Sequence, residues 1–201
     1  MIRVLVADDQ HLVRGALAAL LALEDDIEVV GQVGRGDQVV AEARHSGPDV
    51  ALVDIEMPGM DGIAATAALR AALPDCRVLI LTTFGRPGYL RRAMEAGASG
   101  FMVKDAPAAE LADAVRRVSQ GYRVVDPVLA AESLATGSNP LTARERDVLR
   151  AARSGGTVGD IARAVMLGRG TVRNYLSSAI GKTAARTRAE AVRVAEERGW
   201  L

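Results

Sequence analysis

The first 121 residues alternate short apolar runs with stretches whose apolar positions recur at about the helical period. Apolar runs at Arg3–Ala7, Glu28–Val33, Asp49–Val53, Arg77–Thr82 and Ser99–Val103 predict five strands. Runs such as VALVD and RVLILT are apolar on both faces, as strands buried within a parallel sheet are. Amphipathic patterns near 11–22, 36–46, 61–73 and 87–97 predict the intervening helices. A fifth is expected at about 107–120, with Pro107 suited to a first helical turn. Five βα units in this order predict a five-stranded, parallel, doubly wound α/β domain over residues 1–121.

After Gly121 the alternation stops. Residues 122–140 hold one possible short helix and end in the turn formers TGSNP, which predicts a linker. From 141 to 201 the pattern is purely helical and predicts a small all-α domain of four short helices. Thr142 with Glu145 three residues later has the spacing of a capping box. Within this domain Thr157–Val165 predicts a supporting helix, Met166–Arg169 a turn with Gly168 free to take positive φ, and Gly170 to about Lys182 a second helix. Val172, Leu176 and Ile180 would face inward and Arg173, Asn174 and Ser177 outward.

Composition narrows the setting. Aromatics are only 3%, so the core must be built from Ala, Leu and Val. The single cysteine, Cys76, allows no internal disulfide and reads as a small buried apolar residue, consistent with a reducing cytoplasm. The N-terminal apolar run is too short for a signal peptide, and no run of membrane-spanning length follows. The expectation is a soluble cytoplasmic protein with no membrane association. The net charge of zero hides an asymmetry: −5 over residues 1–122, −1 over 123–140 and +6 over 141–201. A basic module behind an acidic one suggests that only the last third meets a polyanion.

In open α/β sheets, chemistry gathers at the carboxyl ends of the strands near the topological switch point. Asp8 and Asp9 follow the first predicted strand and Asp54 the third, so three carboxylates would crowd one crevice. They cannot all stay ionised uncompensated, and a hard cation such as Mg²⁺ with oxygen ligands is the natural complement. A carboxylate is also a competent nucleophile toward phosphorus. Thr82 closes the fourth strand with a hydroxyl and Lys104 the fifth with an ammonium; both suit phosphoryl oxygens. In the basic third, Arg suits guanine and Asn adenine, which makes Arg173, Asn174 and Ser177 candidates for base edges. Arg169, Thr171, Lys182 and Arg188 are placed for phosphate. On periodicity and charge alone, a basic surface on an ordinary helical bundle is the competing reading.

Residues 1–121, through VADD at 6–9, DIEMPGMDG at 54–62, LTT at 81–83 and GFMVKD at 100–105, resemble the receiver domains of two-component response regulators. LTARERDVL, DIARAV and GTVRNYLSSAIGKTAARTRAEAV resemble the helix-turn-helix of NarL/FixJ (LuxR-type) regulators. The resemblance implies a flavodoxin-like receiver with Asp54 as phospho-acceptor. Asp9 and the Glu56 carbonyl would bind Mg²⁺ directly, with Asp8 acting through water. Thr82 and Phe101 would be the switch positions, and Lys104 would pair with the phosphoryl group. It also implies a histidine kinase as donor, double-stranded promoter DNA as target, and a homodimer on phosphorylation. Ala16, Leu17 and Leu20 with Leu111, Val115 and Val118 offer apolar spacing for such a dimer, though most of it must serve the core. Thr183 and Ala185 depart from the apolar residues common in the family, which bears on where the second helix ends. TTFGRPGYL and TVRNY resemble the DesR-like branch, linked to membrane-lipid sensing.

Glu56 and Phe84 each lie two residues beyond a site residue, where bulk and charge could slow hydrolysis of an aspartyl-phosphate. Two rival readings remain: a receiver that works without phosphorylation, and an aspartate-nucleophile phosphatase built on Asp54 and Glu56. The expectation is that the chain is no enzyme.

Overall fold

The computed structural model describes residues 1–83, 87–135 and 139–201 and divides into two compact units, one of residues 1–83 and 90–130, the other of 87–89 and the described residues from 131 to 201. The first is an α/β layer structure. Its strands are β1 (Ile2–Ala7), β2 (Ile27–Val33), β3 (Val50–Asp54), β4 (Arg77–Thr82), β5 (Gly100–Val103) and β6 (Val124–Val125). They form one sheet in the order β2-β1-β3-β4-β5-β6, with every pairing parallel. The connecting helices are α1 (His11–Leu21), α2 (Val39–Ser46, entered through a 3₁₀ turn at Gly36–Gln38), α3 (Gly62–Ala72), α4 (Pro87–Glu95) and α5 (Ala108–Ser119).

All five residues of β3 are buried, as its doubly apolar pattern required. On one side of the sheet Val4, Val6, Leu52, Leu79 and Leu81 pack with Leu17 and Leu21 of α1 and with Leu111, Val115 and Val118 of α5. The chain moves from β1 outward to β2, then crosses back to β3. That reversal opens a crevice at the carboxyl ends of β1 and β3.

The sheet has six strands rather than five. Val124 and Val125 pair with Gly100 and Phe101, so the segment read as linker begins inside the sheet. A two-residue strand flanked by Arg123 and Asp126 is shorter than any alternation can reveal. Asp126 then caps α6 (Pro127–Ala135), its Oδ1 accepting the N–H groups of Val128 at 2.8 Å and Leu129 at 3.2 Å.

The second unit packs α7 (Ala143–Ala152), α8 (Val158–Ala164), α9 (Arg169–Lys182) and α10 (Arg188–Glu197) around Val148, Leu149, Ile161, Val172, Leu176 and Ala179, with Trp200 and Leu201 closing the core. The Thr142–Glu145 capping box is formed in full at the start of α7. A second, Thr157 with Asp160, starts α8.

Candidate functional site

Asp8 follows β1 and Asp54 ends β3, so both carboxylates reach the crevice from adjacent strands, and both are buried. Lys104 follows β5. Its ammonium lies 2.7 Å from Asp8 Oδ2 and 3.0 Å from Asp54 Oδ2, with its side chain only 7% exposed. The backbone completes the arrangement: Gln10 N–H donates to Asp8 Oδ1 at 2.9 Å and Ile55 N–H to Asp54 Oδ1 at 2.8 Å. Arg14 Nη1 donates to the Asp8 carbonyl at 2.6 Å, holding the turn after β1. Asp9 stays exposed at the rim.

Burial raises the Asp54 carboxyl above its ordinary range, against the opposing pull of Lys104. Burial would lower the Lys104 ammonium. Its hydrogen bonds to Asp8 and Asp54 outweigh that and raise it, so the lysine stays charged. Oxygen ligands from Asp8, Asp9 and Asp54 can lie within 4.8 Å of one another. With three carboxylates and one ammonium, the group carries two negative charges in excess. An all-oxygen donor set of that charge fits a hard divalent cation.

The loop after Asp54 is held closely. Gly62 N–H donates to the Ile55 carbonyl at 2.9 Å, and a Cβ on Gly62 would fall 1.8 Å from the Asp54 carbonyl oxygen. Gly36 N–H donates to the Pro58 carbonyl, bringing the turn before α2 against the same loop. Gly59 takes φ +81 within it. Glu56 is exposed, between the buried Ile55 and Met57. Thr82 is buried at the end of β4, and its carbonyl accepts Lys104 N–H at 2.8 Å. Phe101 is fully buried in β5. Phe84 lies outside the described residues.

In the second unit α8 and α9 form a helix-turn-helix. Gly168 is the N-cap of α9, with φ −68 and ψ 147, and does not take positive φ as expected. Met166 does, with φ 53. It ends α8 in a left-handed turn, Leu167 N–H donating to the Ala162 carbonyl and Met166 N–H to that of Arg163. Helix α9 therefore begins at Arg169, one residue earlier than the pattern suggested. Its inner row is Val172, Leu176 and Ala179, with Ile180 half-buried; Thr171, Arg173, Asn174 and Ser177 face solvent.

Two residues expected at phosphate have partners inside the domain. Lys182 pairs with Glu145 at 2.8 Å. Arg188 donates to the Gly156 carbonyl at 2.7 Å and the Gly155 carbonyl at 3.4 Å, closing the turn after α7. Thr183, the departure noted above, is buried and satisfied: its hydroxyl donates to the Ala179 carbonyl at 2.8 Å, and α9 ends at Lys182. Glu145 escaped the sequence as a domain-wide anchor, because a capping box accounts for a Glu there without any tertiary role.

A doubly wound crevice of this kind followed by a helix-turn-helix is the make-up of a two-component response regulator. Residues 4–116 match the family model "Response regulator receiver domain", and residues 139–195 match "Bacterial regulatory proteins, luxR family". The chain belongs to the NarL/FixJ (LuxR-type) family of response regulators. It is 44% identical over 201 residues to the transcriptional regulatory protein DesR of Bacillus subtilis (strain 168), covering all of both chains. It is equally similar, 44% over 201 residues and all of both chains, to YvfU of the same organism, an uncharacterized transcriptional regulatory protein. Among solved structures it resembles the response regulator ChrA of a heme-sensing two-component system, with a TM-score of 0.59 and 33% identity over 100% of this chain and 98% of that one.

Proposed function

We propose that Asp54 is a covalent switch that takes a phosphoryl group from a partner histidine kinase and thereby sets the DNA binding of residues 141–201. The receiver is assigned to 1–121 and the connecting segment to 122–140, which lends Val124 and Val125 to the receiver sheet as β6. The observation that carries this is the Lys104 ammonium seated between two buried carboxylates with a third at the rim. In transfer, an Asp54 oxygen attacks phosphorus. The bond from phosphorus to the donor's imidazole nitrogen breaks, an acyl phosphate forms, and the leaving imidazole takes up a proton.

Asp8, Asp9, Asp54 and the Glu56 carbonyl would hold Mg²⁺, which neutralises charge on the transferring group when bound. The residues of the chain do the rest. Lys104 gives up its Asp54 contact to bind a phosphoryl oxygen, Thr82 donates its hydroxyl to another, and Phe101 follows Thr82. We read the product as a stored acyl phosphate and not a turnover intermediate because a luxR-type domain follows the receiver, and the chain therefore as a regulator.

Phosphorylation favours a homodimer. Leu12, Ala16, Leu20 and Leu23 form an exposed apolar stripe on α1 and the turn after it, with Leu12 84% and Leu23 78% exposed. Leu17, Leu111, Val115 and Val118 are spent in the core. Two recognition helices would then meet half-sites about one DNA turn apart. Arg173, Asn174 and Ser177 read base edges in double-stranded promoter DNA, while Arg169 and Thr171 contact phosphate. A cytoplasmic location fits the reduced, buried Cys76; among the described residues no helix is long and apolar enough to cross a membrane.

The test is exposure to acetyl phosphate with Mg²⁺, followed by intact mass and DNA binding. One phosphoryl group per chain, lost in Asp54→Asn, is expected, with tighter DNA binding. Continuous release of phosphate at steady state would point to a phosphatase. An Asp54→Ala chain that dimerises and binds DNA as well as phosphorylated wild type would point to a regulator that needs no phosphate.

A further inference from the structure

Only two of the 25 basic residues are lysines, Lys104 and Lys182, and each ends against a buried carboxylate. Lys104 belongs to the receiver crevice. Lys182 is the last residue of α9, where a cation would ordinarily be expected to reach DNA phosphate. Its Nζ lies instead 2.8 Å from Oε2 of Glu145, whose side chain is 4% exposed. The same carboxylate accepts Ser178 Oγ at 2.6 Å on Oε1 and Thr142 N–H at 2.6 Å on Oε2. One side chain in the first turn of α7 thus holds the start of its own helix and two residues of α9, one turn apart.

Basic side chains drive salt-dependent DNA binding by replacing the counterions condensed on phosphate. An ammonium already neutralised by a fixed carboxylate brings little net charge to that exchange. Arg169 and Arg173 are exposed and make no ion pair among the described residues. They are the charges that α9 has free. Ser178 and Lys182 also continue, at intervals of four, the row on which Asn174 sits. Holding Ser178 and Lys182 against α7 acts with the buried Val172, Leu176 and Ala179 to fix the rotation of α9 about its axis, and with it the direction in which Asn174 and Arg173 point.

We propose that Lys182 is a positioning residue for base recognition, fixed by Glu145 together with Ser178, and not a phosphate contact. This rests on the DNA-binding reading above. It separates the basic residues of the domain into those that attract the polyanion and one that aims the helix.

The experiment uses the full chain treated with acetyl phosphate and Mg²⁺. Its probes are duplexes that wild type selects from a random library, and scrambled duplexes of equal length. Binding is measured across a salt series for wild type, Lys182→Gln, Ser178→Ala and, as a phosphate control, Arg169→Gln, with circular dichroism to confirm folding. Lys182→Gln is expected to leave the slope of log K against log salt unchanged. It should cut the preference for selected over scrambled duplex by about tenfold. Ser178→Ala, which changes no charge, should move preference in the same direction, and Arg169→Gln should lower the slope by about one.

A slope that falls by about one in Lys182→Gln with preference intact would overturn the proposal, as would unchanged preference in both Lys182→Gln and Ser178→Ala. Where wild type itself selects no duplex, the DNA-binding reading fails and takes this one with it. That outcome is distinct from the other two.

Discussion

Asp126 donates its backbone N–H to the carbonyl of Phe101 at 3.2 Å and, through its side chain, caps the helix that follows. The connecting segment is therefore bound to β5 through Phe101. Asp126→Ala removes the cap but not the backbone bond. The expected cost is about 1 kcal/mol, confined to the start of α6. Hydrogen exchange at Val128 and Leu129 should quicken while the amides of β4 keep their protection; uniform quickening would mean that Asp126 supports the whole sheet.

Lys104 bridges two buried carboxylates and offsets their mutual repulsion. Lys104→Met leaves both unpaired, and breaking a buried ion pair from one side costs about 3–5 kcal/mol. Urea unfolding without divalent cation should show that loss, and millimolar Mg²⁺ should restore a larger share of stability to the variant than it adds to wild type. Equal Mg²⁺ stabilisation of both would argue against Asp8 and Asp54 sharing one cation.

Met166 and Ala184 both end helices with positive φ, 53 in each case. Ala184 N–H donates to the Gly181 carbonyl and Ala185 N–H to that of Ile180, the pattern of a left-handed cap. Side chains with a Cβ are strained there, and glycine is not. Ala184→Gly and Met166→Gly should each stabilise the C-terminal unit by about 0.5–1 kcal/mol, raising its melting temperature by several degrees. Met166 is 91% exposed, so its removal forfeits no packing. A lower melting temperature in either variant would contradict the strain assigned to that turn.

Glu145 is pushed down to about 2 from an ordinary 4.5: burial works against its charge, and the bonds from Lys182, Ser178 and Thr142 overcome it. A carboxyl whose folded value lies below its unfolded one stabilises fully above the unfolded value. That contribution is lost as pH falls from about 4.5 toward 2, and amounts to at most about 3 kcal/mol. The C-terminal unit should lose stability through that window in wild type and much less so in Glu145→Gln. Parallel acid profiles for the two would remove Glu145 as the source.

Burial pushes the Cys76 thiol up to about 11, so at neutral pH it is a protonated, shielded group. A maleimide should label it only on the timescale of unfolding, and at the full rate in denaturant. Rapid labelling of the native chain would show that the pocket around Pro48, Leu73 and Pro74 opens.

The receiver was legible in the sequence because its signals are local. Strands apolar on both faces, helices of fixed period and acidic residues at strand ends need no knowledge of what packs where. Asp8, Asp54, Thr82 and Lys104 could be assembled from strand order alone, since parallel βα topology delivers all strand ends to one edge. The helix-turn-helix was visible on the same terms, with Val172 and Leu176 inward and Arg173 and Asn174 outward. Tertiary structure decided what depends on a partner far away in sequence. A two-residue strand exists only because β5 offers it hydrogen bonds. Gly168 needs no positive φ because Met166 bears the strain of the turn. Lys182 and Arg188 read as phosphate contacts in the sequence, and only the packed domain shows Glu145 beside the first and the carbonyls of Gly155 and Gly156 beside the second. Periodicity and charge determine which residues face water. Which of those exposed charges remain free is settled only when distant helices pack and buried carboxylates take their counterions from the surface.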